Sequence, residues 1–404
     1  MTLKTVGKNF YRKGYLKLTN KRNFISNNIK LLQYCDSSEI GSKIKNIKII
    51  QERVGCLIPK TLVINTKIFN QLLLENKIQD PLNYDWSQFQ IPIEYQKIIL
   101  KKIKHEFNNK ALVIRSSATC EDSPLLSFAG QYSSFLNIKG EENILKAIKL
   151  CYQSLFSDNA KIYARINGVR LARESMAIAI QELIPATIAG VIFTADPVNQ
   201  DDKKIIVEYT KGLGDAVASG HKKPIQKEIE KIKIKNLKNI FFKKLAKIAL
   251  DIENIFGVPQ DIEWGWNGQK IYIFQSRDIT TLNNRPKTFN YTFNNNKIIG
   301  AGIPVCRGVA RGYLKIIQGI KDYDQIKRGD IVLIRCKADI SLVKKIQFIK
   351  GLIINGGILS HIAVIAREFN IPCLTAPVID DKKIKKYANK KIIIDATNGK
   401  ILLG

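Results

Sequence analysis

The stretch GGILSHIAVIAREFNIPCLTA, residues 356–376, carries His361, one of only three histidines among 404 residues. The residues just before it, GLIIN (351–355), read as a buried strand, and Gly356 and Gly357 supply a turn. Ser360 has the chemistry of a helix N-cap. Behind the histidine, Ile362, Ile365, Ala366 and Phe369 fall at i, i+3, i+4 and i+7, the spacing of one apolar helix face. The sequence therefore predicts strand, turn and helix, with His361 in the first helical turn. Such a helix start offers unpaired N–H groups and the positive end of the helix dipole, a favourable seat for a phosphoryl group. An imidazole with an ordinary pKa of about 6.5 is largely neutral and nucleophilic at neutral pH. From the residues alone, a purely structural histidine stays open beside this catalytic reading.

Size and composition set the surroundings. A chain of this length, with 45% apolar residues, can fill two or three domain cores. The formal charge of +30 would attract a phosphate polymer. However, lysine, isoleucine and asparagine are enriched together along the whole chain, and no basic stripe is interleaved with aromatics, which points away from nucleic acid. Cys35, Cys56, Cys120, Cys151, Cys306, Cys336 and Cys373 lie far apart without a C-x-x-C pair, so neither a disulfide framework nor a zinc site is expected. No stretch approaches the roughly 18 uninterrupted apolar residues that cross a bilayer, and the expected location is the cytoplasm, with no membrane partner. Residues 1–35 contain no Asp or Glu, a bias shared with organellar transit peptides, which remains an alternative.

Along the chain, residues 1–36 read as a basic extension. From EIGSKIKNIKIIQERVGCLIPKTLVINTKIFNQLL onward, β-branched runs alternate with amphipathic stretches to about residue 282, a mixed α and β pattern. The lysine-rich region 222–256 contains Ile240, Leu245, Ile248 and Ile252 near helical spacing, which predicts an amphipathic helix with a solvated lysine face. The asparagine-laden TLNNRPKTFNYTFNNNK reads as an interdomain linker, 283–298, and residues 299–404 as a second domain of glycine-punctuated strands and one helix.

Two further segments hold candidate chemistry. VIRSSATCEDSPLLSFAGQYSSFLNI begins with a strand ending at Arg115, followed by a Ser/Thr-rich loop and Gly130, a combination able to cradle phosphates. QDIEWGWNGQKIYIFQSRDIT reads as a hairpin turning near Asn267 and Gly268. Asp261 and Glu263 are two apart on its first strand, so both carboxylates share a face and could hold Mg2+ together with substrate phosphates. Gln275 and Arg277 join them only if the pairing has the right parity. A two-residue loop turns them away, a three-residue loop from Trp266 to Gly268 pairs Asp261 with Ile273 and brings all four together, and a bulge would do the same. That Asp261 and Glu263 are simply exposed strand residues is the competing reading.

The histidine segment resembles the phosphohistidine segment of the phosphoenolpyruvate-utilising family of synthases, dikinases and phosphotransferases. GIPVCRGVARG, IAGVIFTADP and VEYTKGLGDAVASG are similar to further family segments, in the same order. Three positions depart from the pattern: Leu359 for Thr, Asp215 for Glu after GLG, and Asp278 for Pro after Gln-Ser-Arg. The resemblance implies an α+β chain with an ATP-grasp-like nucleotide-binding domain (37–282) followed by a swivelling phosphohistidine β/β/α domain (299–404). It implies that Lys43, Arg115, Gly130 and Arg277 contact the phosphates of ATP. Gln181, Glu182 and Leu183 would form the adenine hinge, and Gln275 would complete the nucleotide and metal sites with Asp261 and Glu263. His361 would attack the β-phosphorus, with AMP and phosphate released and a phosphoryl group passed on. Larger members carry an acceptor domain not evident here, so the acceptor is expected to be a small molecule at the interdomain cleft or a separate protein. An ATP-dependent ligase on the same two domains and a phosphocarrier subunit are the alternatives, and oligomeric state is not legible.

Overall fold

The computed structural model describes residues 20–121, 132–212, 225–279, 297–336, 340–355, 361–378 and 384–404. The first sheet contains β1 (Ile29–Leu31), β2 (Thr61–Ile64), β3 (Leu112–Ala118), β4 (Ser134–Ile138) and β5 (Met176–Glu182), in the antiparallel order β1-β2-β5-β3-β4. The helices of this part are α1 (Lys21–Asn27), α2 (Gly41–Arg53), α3 (Thr66–Glu75), α4 (Ile93–Phe107), α5 (Glu141–Ser154) and α6 (Asp158–Ile166). All of β2, and all of β5 but Glu182, is buried, so both faces of the sheet centre are covered. On one face Phe69 of α3 stacks on Tyr152 of α5 at 5.0 Å, beside Trp86 and Phe156 at 4.9 Å. On the other, Val63, Ala177 and Ala179 meet Ile44, Ile47 and Ile50 of α2.

This unit starts earlier than residue 37. Within the expected extension, α1 and β1 are integral: Ile25 and Ile29 are fully buried, and β1 pairs with β2. Their isoleucines are spaced among polar residues, so the composition of the segment hid an anchored edge. β3 also continues past Arg115 to Ala118, because Ser116 and Ser117 are small enough to be buried and both hydroxyls find partners.

The second sheet contains β6 (Ile188–Phe193), β7 (Lys204–Lys211), β8 (Ile225–Glu230), β9 (Gln260–Trp266) and β10 (Ile271–Asp278), in the order β10-β9-β6-β7-β8. It is backed by α7 (Ile240–Phe256), whose start is capped by Asn239 and whose end is closed by Gly257 at φ 71°. The buried stripe of α7 is Phe242, Leu245, Ala246, Ala249 and Ile252, whereas Ile240, expected on that face, is 81% exposed at the first turn. The family's Pro position is Asp278, which here pairs with Gln260 and accepts its side-chain amide at 2.7 Å, so β10 runs one residue further.

The two sheets make up the first unit; the second unit is a closed barrel of β11 (Ile298–Cys306), β12 (Val309–Ile317), β13 (Asp330–Ile334), β14 (Ile349–Ile354), β15 (Cys373–Val378), β16 (Lys391–Asp395) and β17 (Lys400–Leu403), ordered β11-β15-β14-β13-β12-β16-β17. The expected layered β/β/α arrangement is thus wrapped further, β11 pairing with both β15 and β17 so that no edge is left open. Leu314, Leu333, Ile353, Leu374, Ile394 and Ile401 fill its core. The helix α8 (His361–Glu368) lies in the chain between the parallel strands β14 and β15, as expected for the strand and the helix, while the expected turn at Gly356 and Gly357 lies outside the described residues. The linker segment 280–296 lies outside the described residues. Among the described residues no helix is long and apolar enough to cross a membrane.

Phe69 is fully buried at the centre of its aromatic cluster. Phe69→Ala is expected to lower unfolding free energy by about 3–5 kcal/mol in urea titrations. A loss below about 1 kcal/mol, the level of an average substitution, would contradict its place in that core.

Candidate functional site

The two sheets of the first unit face each other across a cleft lined by Lys43, Thr61, Arg115, Gln181, Phe274 and Gln275. Strand alternation decides which side chains reach it. In the β9–β10 hairpin, Ile271 pairs with Trp266 and Ile273 with Trp264, so these isoleucines share the face packed on α7. Phe274 is then an extra residue in the ladder, after which Gln275 pairs with Glu263 and Arg277 with Asp261. Beyond the bulge, Gln275 and Arg277 therefore join Asp261 and Glu263 on the cleft face. The parity requirement is met, but the three-residue loop is not formed. The turn is residues 267–270, with Gly268 at φ 97°, and Asp261 lies opposite Arg277 rather than Ile273. A Cβ on Gly265 would sit 2.6 Å from the Phe274 ring, so this glycine is the space that the bulged aromatic occupies.

At one end of the cleft stands the start of α2. Its N-cap, Ile40, has no polar side-chain atom to accept a capping bond, and Ser117 of β3 takes that role, its Oγ accepting from Ile44 N at 3.1 Å. Gly41 sits at φ 68° where a Cβ would lie 2.1 Å from the Ser117 carbonyl oxygen, so only glycine allows this approach. The contact sets Lys43 in the first turn, its Nζ 2.5 Å from Oε1 of Glu121, a fully buried carboxylate that also accepts from Ala118 N at 3.4 Å. Gly41 and Glu121 were not legible as site residues. The only sequence signals are a glycine directly ahead of Ser-Lys and an acid at the start of the Ser/Thr-rich loop. Gly130 lies outside the described residues.

Each cation of the cleft already has an anion. Arg115 Nη1 is 3.1 Å from Glu263 Oε2 and donates to Gln275 Oε1 at 3.4 Å. Arg277 reaches Asp261 Oδ2 through Nε at 2.8 Å and Nη2 at 2.7 Å. Burial pushes the Asp261 carboxyl above the usual range, against the pull of Arg277. For Glu263 burial acts in the same direction, but Arg115, with Lys43 and Arg277 behind it, outweighs it and holds the group low. Asp261 is buried, so the reading of an exposed strand residue does not hold for it, whereas the Glu263 side chain is 39% exposed. Asp261, Glu263 and Gln275 form a hard oxygen set on one face, which fits Mg2+ in donor chemistry. Among the described residues no group of three or more His, Cys, Asp and Glu could hold a metal, so a cation here would also need oxygens from a ligand.

Of the expected hinge residues, Gln181 lines the cleft and donates to Thr61 Oγ1 at 3.0 Å. Glu182 instead pairs with Lys110 at 2.6 Å, and the Leu183 N–H is taken by the Ala111 carbonyl at 3.0 Å. All seven cysteines are free. Burial pushes the thiols of Cys35, Cys56 and Cys306 up to about 11 and that of Cys120 to about 12, which leaves them protonated and poorly nucleophilic.

His361 opens α8, its side chain and residues 356–360, including the expected cap Ser360, lying outside the described residues. The helix itself rests against the first unit. The Tyr163 hydroxyl of α6 donates to Glu368 Oε2 at 2.9 Å, and its ring meets Phe369 edge-on at 6.2 Å. Lys344 is 3.8 Å from Asp158, and Arg307 donates to Asn199.

Comparison with known proteins agrees with this layout. The model of the pyruvate phosphate dikinase AMP/ATP-binding domain matches residues 88–240 and 221–296, and that of the PEP-utilising enzyme mobile domain matches residues 326–399. A probable phosphoenolpyruvate synthase of Methanothermobacter thermautotrophicus is 33% identical over 327 residues, covering 72% of this chain and 47% of that protein. The phosphoenolpyruvate synthase of Pyrococcus furiosus is 27% identical over 350 residues, with 75% and 42% covered. Rifampicin phosphotransferase of Bacillus cereus is 36% identical over 225 residues, with 48% and 26% covered. The chain thus spans less than half the length of these relatives.

The Lys43–Glu121 pair gives a direct physical test. Glu121→Leu is expected to cost about 3–5 kcal/mol by removing the buried carboxylate that faces a partly buried ammonium, and adding Lys43→Met should recover most of that loss. Denaturant unfolding of the single and double variants measures it. Equal stability of the two would show that the pair does not act as a unit.

Proposed function

The chain belongs to the phosphoenolpyruvate-utilising enzymes, and on that premise we propose that it is an ATP-dependent phosphotransferase that carries a phosphoryl group on His361. The observation that supports this most is the convergence of Lys43, Arg115 and Arg277 with Asp261, Glu263 and Gln275 on one cleft, next to a helix that begins at His361. In this reading the nucleotide lies between the sheets with its phosphates on the three cations. Asp261, Glu263 and Gln275 would hold Mg2+, which supplies charge neutralisation to the phosphates. With a nucleotide bound, the guanidiniums of Arg115 and Arg277 would turn from their carboxylates to phosphate oxygens, for which their planar forks are suited.

An imidazole nitrogen of His361 attacks the β-phosphorus, the bridge to the α-phosphorus breaks, and AMP leaves. The pyrophosphoryl group on the ring loses its outer phosphate to water, and phosphohistidine remains for an acceptor. Little covalent work falls to the protein, so catalysis rests on positioning and charge neutralisation by Lys43, Arg115 and Arg277. The second unit acts as the swivelling carrier between cleft and acceptor, with a small molecule as the acceptor class. The closed barrel suits that task, because it moves α8 without leaving a strand edge to be paired elsewhere.

Incubation with Mg2+ and β-labelled ATP is expected to give acid-labile label on the protein and AMP, both abolished by His361→Ala. Formation of ADP with no label on the chain, or equal ATP cleavage by the His361→Ala protein, would sink the reading. Arg115→Ala should weaken nucleotide binding roughly 10- to 100-fold in calorimetry, the worth of hydrogen bonds to charged groups. An unchanged affinity would remove the cleft as the donor site.

A further inference from the structure

Away from Lys43, the cleft holds two buried polar side chains that the phosphate chemistry does not use. On β5, Ala177 pairs with Ser117, against which α2 starts, Ala179 pairs with Arg115, and Gln181 pairs with Thr61 of β2. Four residues of strand, roughly 13 Å, thus separate the start of α2 from Gln181, room for a nucleotide to keep its outer phosphates and its base apart. Ile44, Ile47, Ala179 and Phe274 line the same cleft, apolar surface on which a flat heterocycle can pack. Thr61 and Gln181 are 4% and 5% exposed, so their hydrogen bonds are made within the protein. The Thr61 hydroxyl has a single hydrogen and lies 2.8 Å from the Pro59 carbonyl oxygen, which can only accept. That hydrogen is therefore committed to Pro59, and Thr61 Oγ1 can only accept from Gln181, 3.0 Å away. The end of the amide that faces Thr61 must then be the NH2 group, Nε2, which leaves the oxygen Oε1 as the other end. Among the described residues no donor is bonded to that oxygen. The Leu183 N–H, expected at the adenine hinge, is bonded to the Ala111 carbonyl at 3.0 Å, so recognition of the base falls to the Gln181 side chain.

We propose that Thr61 is a positioning residue that locks the Gln181 amide with its oxygen towards the nucleotide, so that the cleft selects a purine with an exocyclic amino group, adenine, over one with a carbonyl there, hypoxanthine or guanine. This deepens the function proposed above and rests on it. The amino group of adenine donates to Gln181 Oε1. A carbonyl at the same place meets Oε1 acceptor to acceptor. The amide cannot turn its NH2 group to that carbonyl without placing Oε1 against Thr61 Oγ1, whose hydrogen is already on Pro59. Selection thus comes from a repulsive contact as well as an attractive one. Lys43 and Arg115 act on phosphates that all these nucleotides share, and they add affinity without discriminating between bases.

Calorimetry with Mg2+ and either ATP or ITP tests this in the full chain carrying His361→Ala, which keeps the nucleotide from being consumed. The two nucleotides share ribose and phosphates and differ at the edge of the base that Gln181 would read. ATP should bind about 10- to 100-fold more tightly than ITP, the cost of a buried hydrogen-bonding group left unmatched. Adding Thr61→Val, which keeps the β-branched shape and removes the hydroxyl, frees the amide to turn either way. The preference should then fall to about threefold or less, with ATP binding weakened and ITP binding strengthened, whereas a loss of mere packing would weaken both alike and leave the ratio unchanged. Thr61→Ser, which retains the hydroxyl, should keep the preference. Gln181→Leu, which removes the acceptor without touching β2, should bring ATP down to the affinity of ITP. A preference that survives in both Thr61→Val and Gln181→Leu, or equal binding of ATP and ITP with Thr61 and Gln181 in place, overturns the inference while leaving the ATP reading intact. Binding of neither nucleotide overturns the ATP reading and this inference with it.

Discussion

One extra residue in a hairpin determines which side chains the cleft receives. A β-strand presents alternate residues to opposite faces, so Ile271 and Ile273 could not point to the core while Gln275 and Arg277 point to the cleft in a regular ladder. The bulge at Phe274 breaks the alternation once, and both demands are met. It also places an aromatic ring over Gly265, where it becomes a wall of the cleft. Without that irregularity, the four polar groups opposite Arg115 and Lys43 would be split between two faces of the sheet.

The electrostatics follow from this placement. Burying charge requires partners, and the cleft supplies them internally as Lys43 with Glu121, Arg115 with Glu263, and Arg277 with Asp261. Such pairs hold the charged groups of the cleft in fixed positions. Gly41 and Ser117 serve the same end from the backbone side, since the close approach of α2 to β3 fixes where Lys43 begins.

The way α8 lies against the first unit connects the two halves of the molecule. Residues 362–367 of that helix are buried, and Tyr163 with Glu368 and Phe369 forms the contact between the two halves. The +30 charge of the chain finds a local meaning here, because a cleft whose own charges cancel sits within a strongly basic protein, a favourable setting for a polyanionic ligand.

Local patterns were enough to read the strand before and the helix after Gly356 and Gly357, the hairpin at Asp261, the amphipathic α7 and the order of the family segments, because each depends on neighbours in sequence or on periodicity. The amino-acid sequence also stated the condition for a joint site, odd parity between β9 and β10, without deciding how it would be met. What only the tertiary structure decided were contacts between distant segments: the anchoring of α1 and β1 by a few buried isoleucines, the continuation of β3 to Ala118, the closure of the barrel, the Lys43–Glu121 and Ser117–Ile44 contacts, and the engagement of Leu183 away from the cleft. These depend on which surfaces meet after folding, and a burial or a pairing between segments far apart in the chain leaves no periodic trace in it.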